Sequence, residues 1–596
     1  MTRHVMAETY SRLSSAINGS HLWYRNSQRE LLEYITAGMP PGFSFVGSAL
    51  QHYLIILDWV KMWSQNALVG LWLSSLVATL ASPQPQPTSL IEPGSSTLDW
   101  KPCDLDLSDE IKAAMRERGY CATIEVPLDY TNPQSNKTVE LQLIRFNATK
   151  EPFKGSVLWN PGGPGISGIE TFATLGPDFR DIIGGHHHAI SFDPRGVGRT
   201  IPFSCRPQNT SAKVTRRGDS TLPQADLWSY IKNQKWAEDS AAADACYETQ
   251  QEYGRYISTA FTARDMMKIV DALGEDGKLR YWGISYGTIL GQVVASLFPD
   301  RIGRLLLDSN SLADSYLTAT GIGGPRDAEK SLNYMFSECV KVGPKTCHLA
   351  NYAGRRTTTE ELRDAVEDLF QKLTEMKNLP AGLSKEDYPS GGNSVLARLK
   401  LLIVEGLSSP GGYPKVATML LQALNGRWKK ALTVEETPAS EWNRGTEAFA
   451  GIACSDSSFR VQDPNDLYPM YRAHLAESSM GDAIAADYLG CGAWRFQAAE
   501  GVDTDKLRNV NTSFPVLIIN GAYDPITSLT HAWQVSARFK GSRILVHEGV
   551  GHGVTYHASN CTLDAIATYF RDGVLPEVGA VCKPNMLAFE YAKLLS

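Results

Sequence analysis

The 596-residue sequence contains no Cys-x-x-Cys pair, no cysteine before residue 100, no internal repeat and no block of like charges. Without Cys-x-x-Cys spacing its ten cysteines do not read as a zinc site. Without a basic patch, and at a formal net charge of -7 with a pI near 6.0, the chain is a poor fit to nucleic acid or to an anionic lipid surface. Low-complexity sequence is confined to a Pro/Gln/Ser-rich linker at 82–97. A composition of 43% hydrophobic and 20% charged residues is that of a globular protein, neither a disordered tail nor a fibre.

What is present points to an oxidising compartment. The cysteines are even in number and dispersed, which suits disulfides. Five Asn-x-Ser/Thr sequons, at Asn136, Asn147, Asn209, Asn511 and Asn560, also fall after residue 100. Neighbouring cysteines such as Cys339 with Cys347, or Cys561 with Cys582, are expected partners because they close short loops. The uncharged run Ala67 to Ala81, followed by a Pro-rich stretch, has the form of a signal-peptide core with its cleavage site. Its 66 preceding residues are far too many for a signal n-region. We therefore expect translation to begin at Met62, with 62–81 a signal peptide and 1–61 outside the gene product. The rival is a type II membrane anchor, although 15 apolar residues fall short of the roughly 20 that span a bilayer.

From residue 98 onward, short apolar strands alternate with helices. Cys121 to Leu128 and Thr138 to Phe146 read as an opening antiparallel pair. Ser156 to Trp159, Ala189 to Phe192, Arg280 to Ser285, Arg304 to Leu307, Pro515 to Ile519 and Ile544 to Val546 read as buried strands. Such alternation predicts an α/β fold: a mostly parallel sheet with helices on both faces. Between 311 and 450 the pattern turns helical and polar, as in Thr359 to Thr374, which predicts a helical lid. The expected organisation is a core in two parts, 98–310 and 451–596, separated by that lid.

The chemistry centres on Gly283-Ile284-Ser285-Tyr286-Gly287. In a nucleophile elbow a serine occupies a strained turn between strand and helix, with small flanking residues letting the backbone pass. With 50 glycines in 596 positions, about 0.3 such matches arise by chance, so the strand before and the apolar helix after carry the weight. The run Asn160-Pro161-Gly162-Gly163-Pro164-Gly165 follows an earlier strand, where glycines can aim backbone N–H groups at an oxyanion. Proline has no N–H, so the expected donors are the amides of Gly163 and Tyr286. Asp524 and His552 follow two later strands, in the order Ser, Asp, His, with His552 as base and Asp524 as its orienting acid. Asp308 is a rival acid, and His547 and His557 are rival bases without the glycines that flank His552. The run His186-His187-His188 cannot converge on one ion and reads as a solvated strand entry. No metal and no organic cofactor is implied.

These motifs, with Asp193-Pro194-Arg195-Gly196-Val197-Gly198 and the tail from Cys491-Gly492-Ala493-Trp494 to Cys582, resemble the prolyl and tripeptidyl aminopeptidase family of α/β-hydrolases. The resemblance runs from about 98 to 590. It implies the α/β-hydrolase fold and a serine hydrolase acting through an acyl-enzyme, releasing amino acids or short peptides from free N-termini; with the cysteines, sequons and leader, the expected enzyme is secreted. Esterase or amidase action on a small metabolite is the alternative, and a binding protein on an inactive hydrolase scaffold is a third. The family's best-known oxyanion loop has His before Gly-Gly-Pro-Gly, where this chain has Pro161, so a contact from that His is lost while the backbone donors survive. An aminopeptidase also needs carboxylates for the substrate ammonium. Glu338, Glu360, Glu361 and Asp364 in the lid are available, and none is singled out.

Overall fold

A computed structural model describes residues 96–205, 222–321, 323–376, 378–433, 442 and 445–595. The expected leader, nearly all of the linker, and Asn209 lie outside the described residues. Ten strands form one sheet: β1 (Lys101–Pro102), β2 (Tyr120–Pro127), β3 (Thr138–Phe146), β4 (Ser156–Asn160), β5 (His188–Phe192), β6 (Leu279–Ser285), β7 (Ile302–Asn310), β8 (Leu517–Tyr523), β9 (Arg543–Val550) and β10 (Val581–Cys582). Their spatial order is β1-β2-β3-β5-β4-β6-β7-β8-β9-β10. The pairings β1/β2, β2/β3 and β3/β5 are antiparallel, and every later pairing is parallel. The expected α/β sheet is therefore present. The two edge pieces β1 and β10 are each too short to leave a period in the sequence.

Alternation along the central strands divides the core. Tyr281, Leu305, Leu307 and Ile518 face a layer built with Met266, Ile269, Leu290 and Val293. These last come from helices α2 (Thr259–Leu273) and α3 (Tyr286–Leu297), which follow α1 (Gly168–Ile182) in the chain. Trp282, Leu306, Leu517 and Ile519 face the opposite layer, against Phe172 and Phe179 of α1. Because both faces are covered, β6 is buried along its length except at Ser285, which is half-buried.

Between β7 and β8 the described chain is helical: α4 (Ala328–Val342), α5 (Thr359–Glu375), α6 (Gly392–Leu407), α7 (Tyr413–Leu424), α8 (Gly445–Asp456) and α9 (Gly481–Leu489), with a further helix at Tyr468–Glu477 and shorter turns between. Helices α4 to α7 carry a core of their own, including Leu332, Phe336, Phe370, Leu399, Ile403 and Leu420. The chain resumes with α10 (Asn560–Asp572) and ends in α11 (Ala588–Leu595), whose Ala588 and Phe589 complete that insertion core. The expected lid end at 450 falls inside α8, and the sheet resumes only at Leu517. α8 packs Ile452, Ala453 and Cys454 on the sheet's own core, so its apolar face reads like core sequence.

Five disulfides join each cysteine to its sequence neighbour: Cys103–Cys121, Cys205–Cys246, Cys339–Cys347, Cys454–Cys491 and Cys561–Cys582. Both expected pairs are among them.

Candidate active site

Ser285 ends β6 and precedes α3 with φ 57° and ψ -121°. A serine holds that conformation only where the surroundings impose it. The elbow is closed by Tyr281, whose hydroxyl donates to the Gly287 carbonyl at 2.9 Å. Gly283 packs so closely that a Cβ there would lie 2.2 Å from the Gly287 oxygen. Only a missing side chain permits that turn.

The Gly-rich loop lies directly on the elbow. Asn160 is buried at the end of β4, and its Oδ1 accepts the Gly162 N–H at 3.0 Å. Gly162 has φ +103°, and a Cβ there would meet the Ile284 carbonyl oxygen at 2.7 Å and Ser285 Cβ at 2.8 Å. Among the described residues, the amides of Gly163 and Tyr286 make no hydrogen bond to protein. Beyond the loop, Ser167 caps the start of α1, and buried Asp193 holds that cap. The carboxylate accepts Ser167 Oγ at 2.9 Å and the Ile169 N–H at 3.1 Å. Burial pushes the Asp193 carboxyl up to about 6, against the donors that lower it. Arg195 of the same motif is a buried brace, paired with Asp265 and donating to the Leu128 carbonyl.

Asp524 and His552 meet at the ends of β8 and β9. His552 Nδ1 lies 3.0 Å from Asp524 Oδ2 and 3.2 Å from Oδ1. Asp524 also accepts the Ile526 and Thr527 N–H groups, each at 2.9 Å, and Thr527 Oγ1 at 2.8 Å. Burial opposes its ionisation, but His552 and these donors outweigh burial and hold its carboxyl below the ordinary value. Burial likewise opposes the His552 cation, yet the Asp524 and Asp308 carboxylates carry its pKa above 6.5. The His552 loop is tied from two sides. Its own N–H donates to the Ser408 carbonyl at 2.8 Å, and the Val554 N–H donates to Asp308 at 3.2 Å. Asp308 stands opposite Ile284 in the β6/β7 register, which brings this loop beside the elbow.

The rivals have other work. Asp308 accepts Val554 and Trp282 rather than the His552 ring, and burial pushes its carboxyl up to about 7. His557 accepts the Val550 N–H at Nδ1 and so donates from Nε2 to the Met586 carbonyl at 2.8 Å. His547 pairs with Thr562. The histidine run is not a solvated strand entry: His187 is buried between the Gly155 and Phe570 carbonyls, and His188 accepts the Ala148 N–H. Among the described residues no cluster of His, Cys, Asp or Glu is placed to hold a metal ion. The lid carboxylates are engaged structurally. Glu338 accepts the Ala588 N–H that opens α11, Glu361 forms a capping box with Thr358, and Asp364 pairs with Arg363. Glu360 lies exposed in the same first turn.

Comparison with known proteins finds a family match for each half of the site. The α/β-hydrolase fold family matches over residues 155–336, spanning the Gly-rich loop and the elbow. The TAP-like protein family matches over 477–582, spanning Asp524 and His552. The chain has the α/β-hydrolase fold, and its C-terminal part is similar to TAP-like proteins. The tripeptidyl aminopeptidase of Streptomyces coelicolor is 26% identical to this chain over 512 residues, covering 82% of this chain and 86% of the relative. The serine protease Hip1 of Mycobacterium bovis is 23% identical over 501 residues, covering 81% and 91%. A protein named carboxylesterase B, from Mycobacterium tuberculosis, is 26% identical over 507 residues, covering 81% and 90%.

Sequence reasoning passed over Thr527 and Asp456, and named Asp193 in a motif without giving it a role. Thr527 had a local signal, since a hydroxyl three residues after Asp524 can return to its carboxylate. Asp456 acts across nearly 200 residues on Thr259, and no local pattern announces it.

Proposed function

We propose that the chain is a secreted serine hydrolase that releases short peptides from free N-termini. The observation that carries this reading is the Asp524–His552 pair tied beside the positive-φ elbow of Ser285. Ser285 Oγ attacks the scissile carbonyl while His552 takes its proton, and the amides of Gly163 and Tyr286 receive the oxyanion. The imidazolium, stabilised by Asp524, then protonates the leaving amine as the C–N bond breaks. His552 next activates water against the acyl-ester, which frees the acid product and restores Ser285. Relatives named aminopeptidase and serine protease over four fifths of the chain support peptide substrates. Five disulfides and exposed Asn136, Asn511 and Asn560 support the secretory route. Among the described residues no helix is long and apolar enough to cross a membrane.

The second reading, an esterase or amidase acting on a small metabolite, is favoured by the carboxylesterase relative, which shares the aminopeptidase's 26% identity. A panel of chromogenic prolyl, alanyl and tripeptidyl amides, each free and N-acetylated, together with p-nitrophenyl esters, separates the two. Cleavage of free-amine amides alone is the outcome expected of the peptidase. Ester turnover without amide cleavage assigns the esterase. Intact-mass analysis of the secreted protein tests the leader, and an N-terminus upstream of Met62 contradicts the start proposed here.

A further inference from the structure

We propose that Asp456, at the C-terminal end of α8, is a positioning residue that holds Tyr286, and with it the amide assigned to the oxyanion. The inference rests on the serine-hydrolase reading above. Asp456 is buried, and its Oδ2 accepts the Thr259 hydroxyl at 2.5 Å and the Tyr316 hydroxyl at 3.0 Å, while Oδ1 accepts the Thr259 N–H at 2.8 Å. Thr259 Oγ1 lies 2.6 Å from the Tyr286 hydroxyl. A hydroxyl has one proton, and Thr259 gives its own to the carboxylate, so Tyr286 must be the donor in that contact. The chain therefore has one sense: Tyr286 to Thr259 to Asp456. Buried Tyr286 thus has its ring anchored at the hydroxyl end, while its backbone N–H opens α3 beside Ser285.

The same helix touches the other donor segment. A Cβ on Gly165, two residues after Gly163, would lie 3.1 Å from Ala448 Cβ and 3.1 Å from the Phe449 nitrogen. α8 is itself held firmly. Cys454 is bonded to Cys491, and Ser455, between Cys454 and Asp456, accepts Trp494 Nε1 at its hydroxyl and the Ala498 N–H at its carbonyl. One braced helix of the insertion thus sets both sides of the proposed oxyanion site. Preorganised donors of this kind act on the transition state more than on the bound substrate.

The competing account makes Asp456 no more than an acceptor for the first N–H of α2. Steady-state kinetics on variants separate them, with each preparation normalised to the fraction that a fluorophosphonate labels. Asp456→Asn, Thr259→Val and Tyr286→Phe are each expected to lower kcat about tenfold, with KM within about twofold. Thr259→Ser, which keeps the hydroxyl, is expected to retain wild-type kcat. The double variant Asp456→Asn/Tyr286→Phe is expected to be no slower than either single one, because both cut one chain. Losses that multiply in the double variant, or an effect on KM with kcat unchanged, would overturn the proposal. Should Asp456→Asn yield no labelled enzyme, Thr259→Val against Thr259→Ser and Tyr286→Phe carries the same decision. A parent protein without Ser285-dependent turnover would defeat the hydrolase reading itself, a distinct result.

Discussion

The side chains around His552 set its proton affinity, and that makes a signed prediction. The imidazole must be neutral to take the Ser285 proton, and its pKa is carried above 6.5 by Asp524 and Asp308 despite burial. The kcat/KM of the enzyme should therefore rise with pH through a midpoint above 6.5. A pH–rate profile with its acid limb below that value contradicts the pairing. Asp524→Asn removes the stronger of the two interactions with His552 and should move the limb to lower pH while lowering kcat by about 10³- to 10⁴-fold. Asp308→Asn should move the limb in the same direction by less, because Asp308 touches the loop and not the ring. Asp308 also makes a stability prediction. Its folded pKa, pushed up to about 7, lies above the ordinary 3.8. The folded state therefore holds its proton more tightly, and this group's contribution to stability declines as pH rises from 3.8 to about 7. The Tm of Asp308→Asn relative to the parent should accordingly become more favourable across that window, which calorimetry at several pH values checks.

At the scale of elements, the site is built from four loops at the C-terminal ends of parallel strands, after β4, β6, β8 and β9, and buried polar groups hold them. Asn160 and Asp193 hold the Gly-rich loop, Tyr281 closes the elbow, and Asp308 with Ser408 ties the His552 loop. Gly162→Ala should cost more than 100-fold in kcat/KM, because its Cβ would press on the Ile284 carbonyl and Ser285. Asp193→Ala leaves Ser167 and the Ile169 amide without an acceptor, and should destabilise the fold by about 3 kcal/mol in urea unfolding. Much of this was legible. Apolar runs bounded by Gly and Asp marked β4 to β9, and the spacing of Ser285, Asp524 and His552 along them gave the candidate site. What escaped was long-range: the Asp456 link to Thr259, the Ser408 carbonyl under His552, and the burial of His187 between two carbonyls. Contacts of that range leave no periodicity. The end of the lid escaped for a different reason, since α8 packs one face on the sheet's core while belonging to the helical insertion.

At the scale of the molecule, the last helix belongs to the insertion more than to the sheet. Ala588 and Phe589 of α11 are buried in the core of α4 to α7, and Glu338 accepts the first amide of α11. Removing residues 588–595 should open that core and admit limited proteolysis within 328–432, while cleavage sites in the sheet stay protected. Two of the disulfides close loops inside or next to the site's supports: Cys454–Cys491 at α8, and Cys561–Cys582 joining α10 to β10. The whole arrangement is a hydrolase core beneath a helical insertion, and the central claim concerns what it cleaves. The most direct measurement is kcat/KM for a tripeptidyl chromogenic amide, with its N-terminus free and acetylated, for the parent protein and for Ser285→Ala. The account predicts turnover that requires the free amine and vanishes in Ser285→Ala. Turnover that is indifferent to acetylation contradicts the aminopeptidase reading, and turnover that survives in Ser285→Ala contradicts the mechanism.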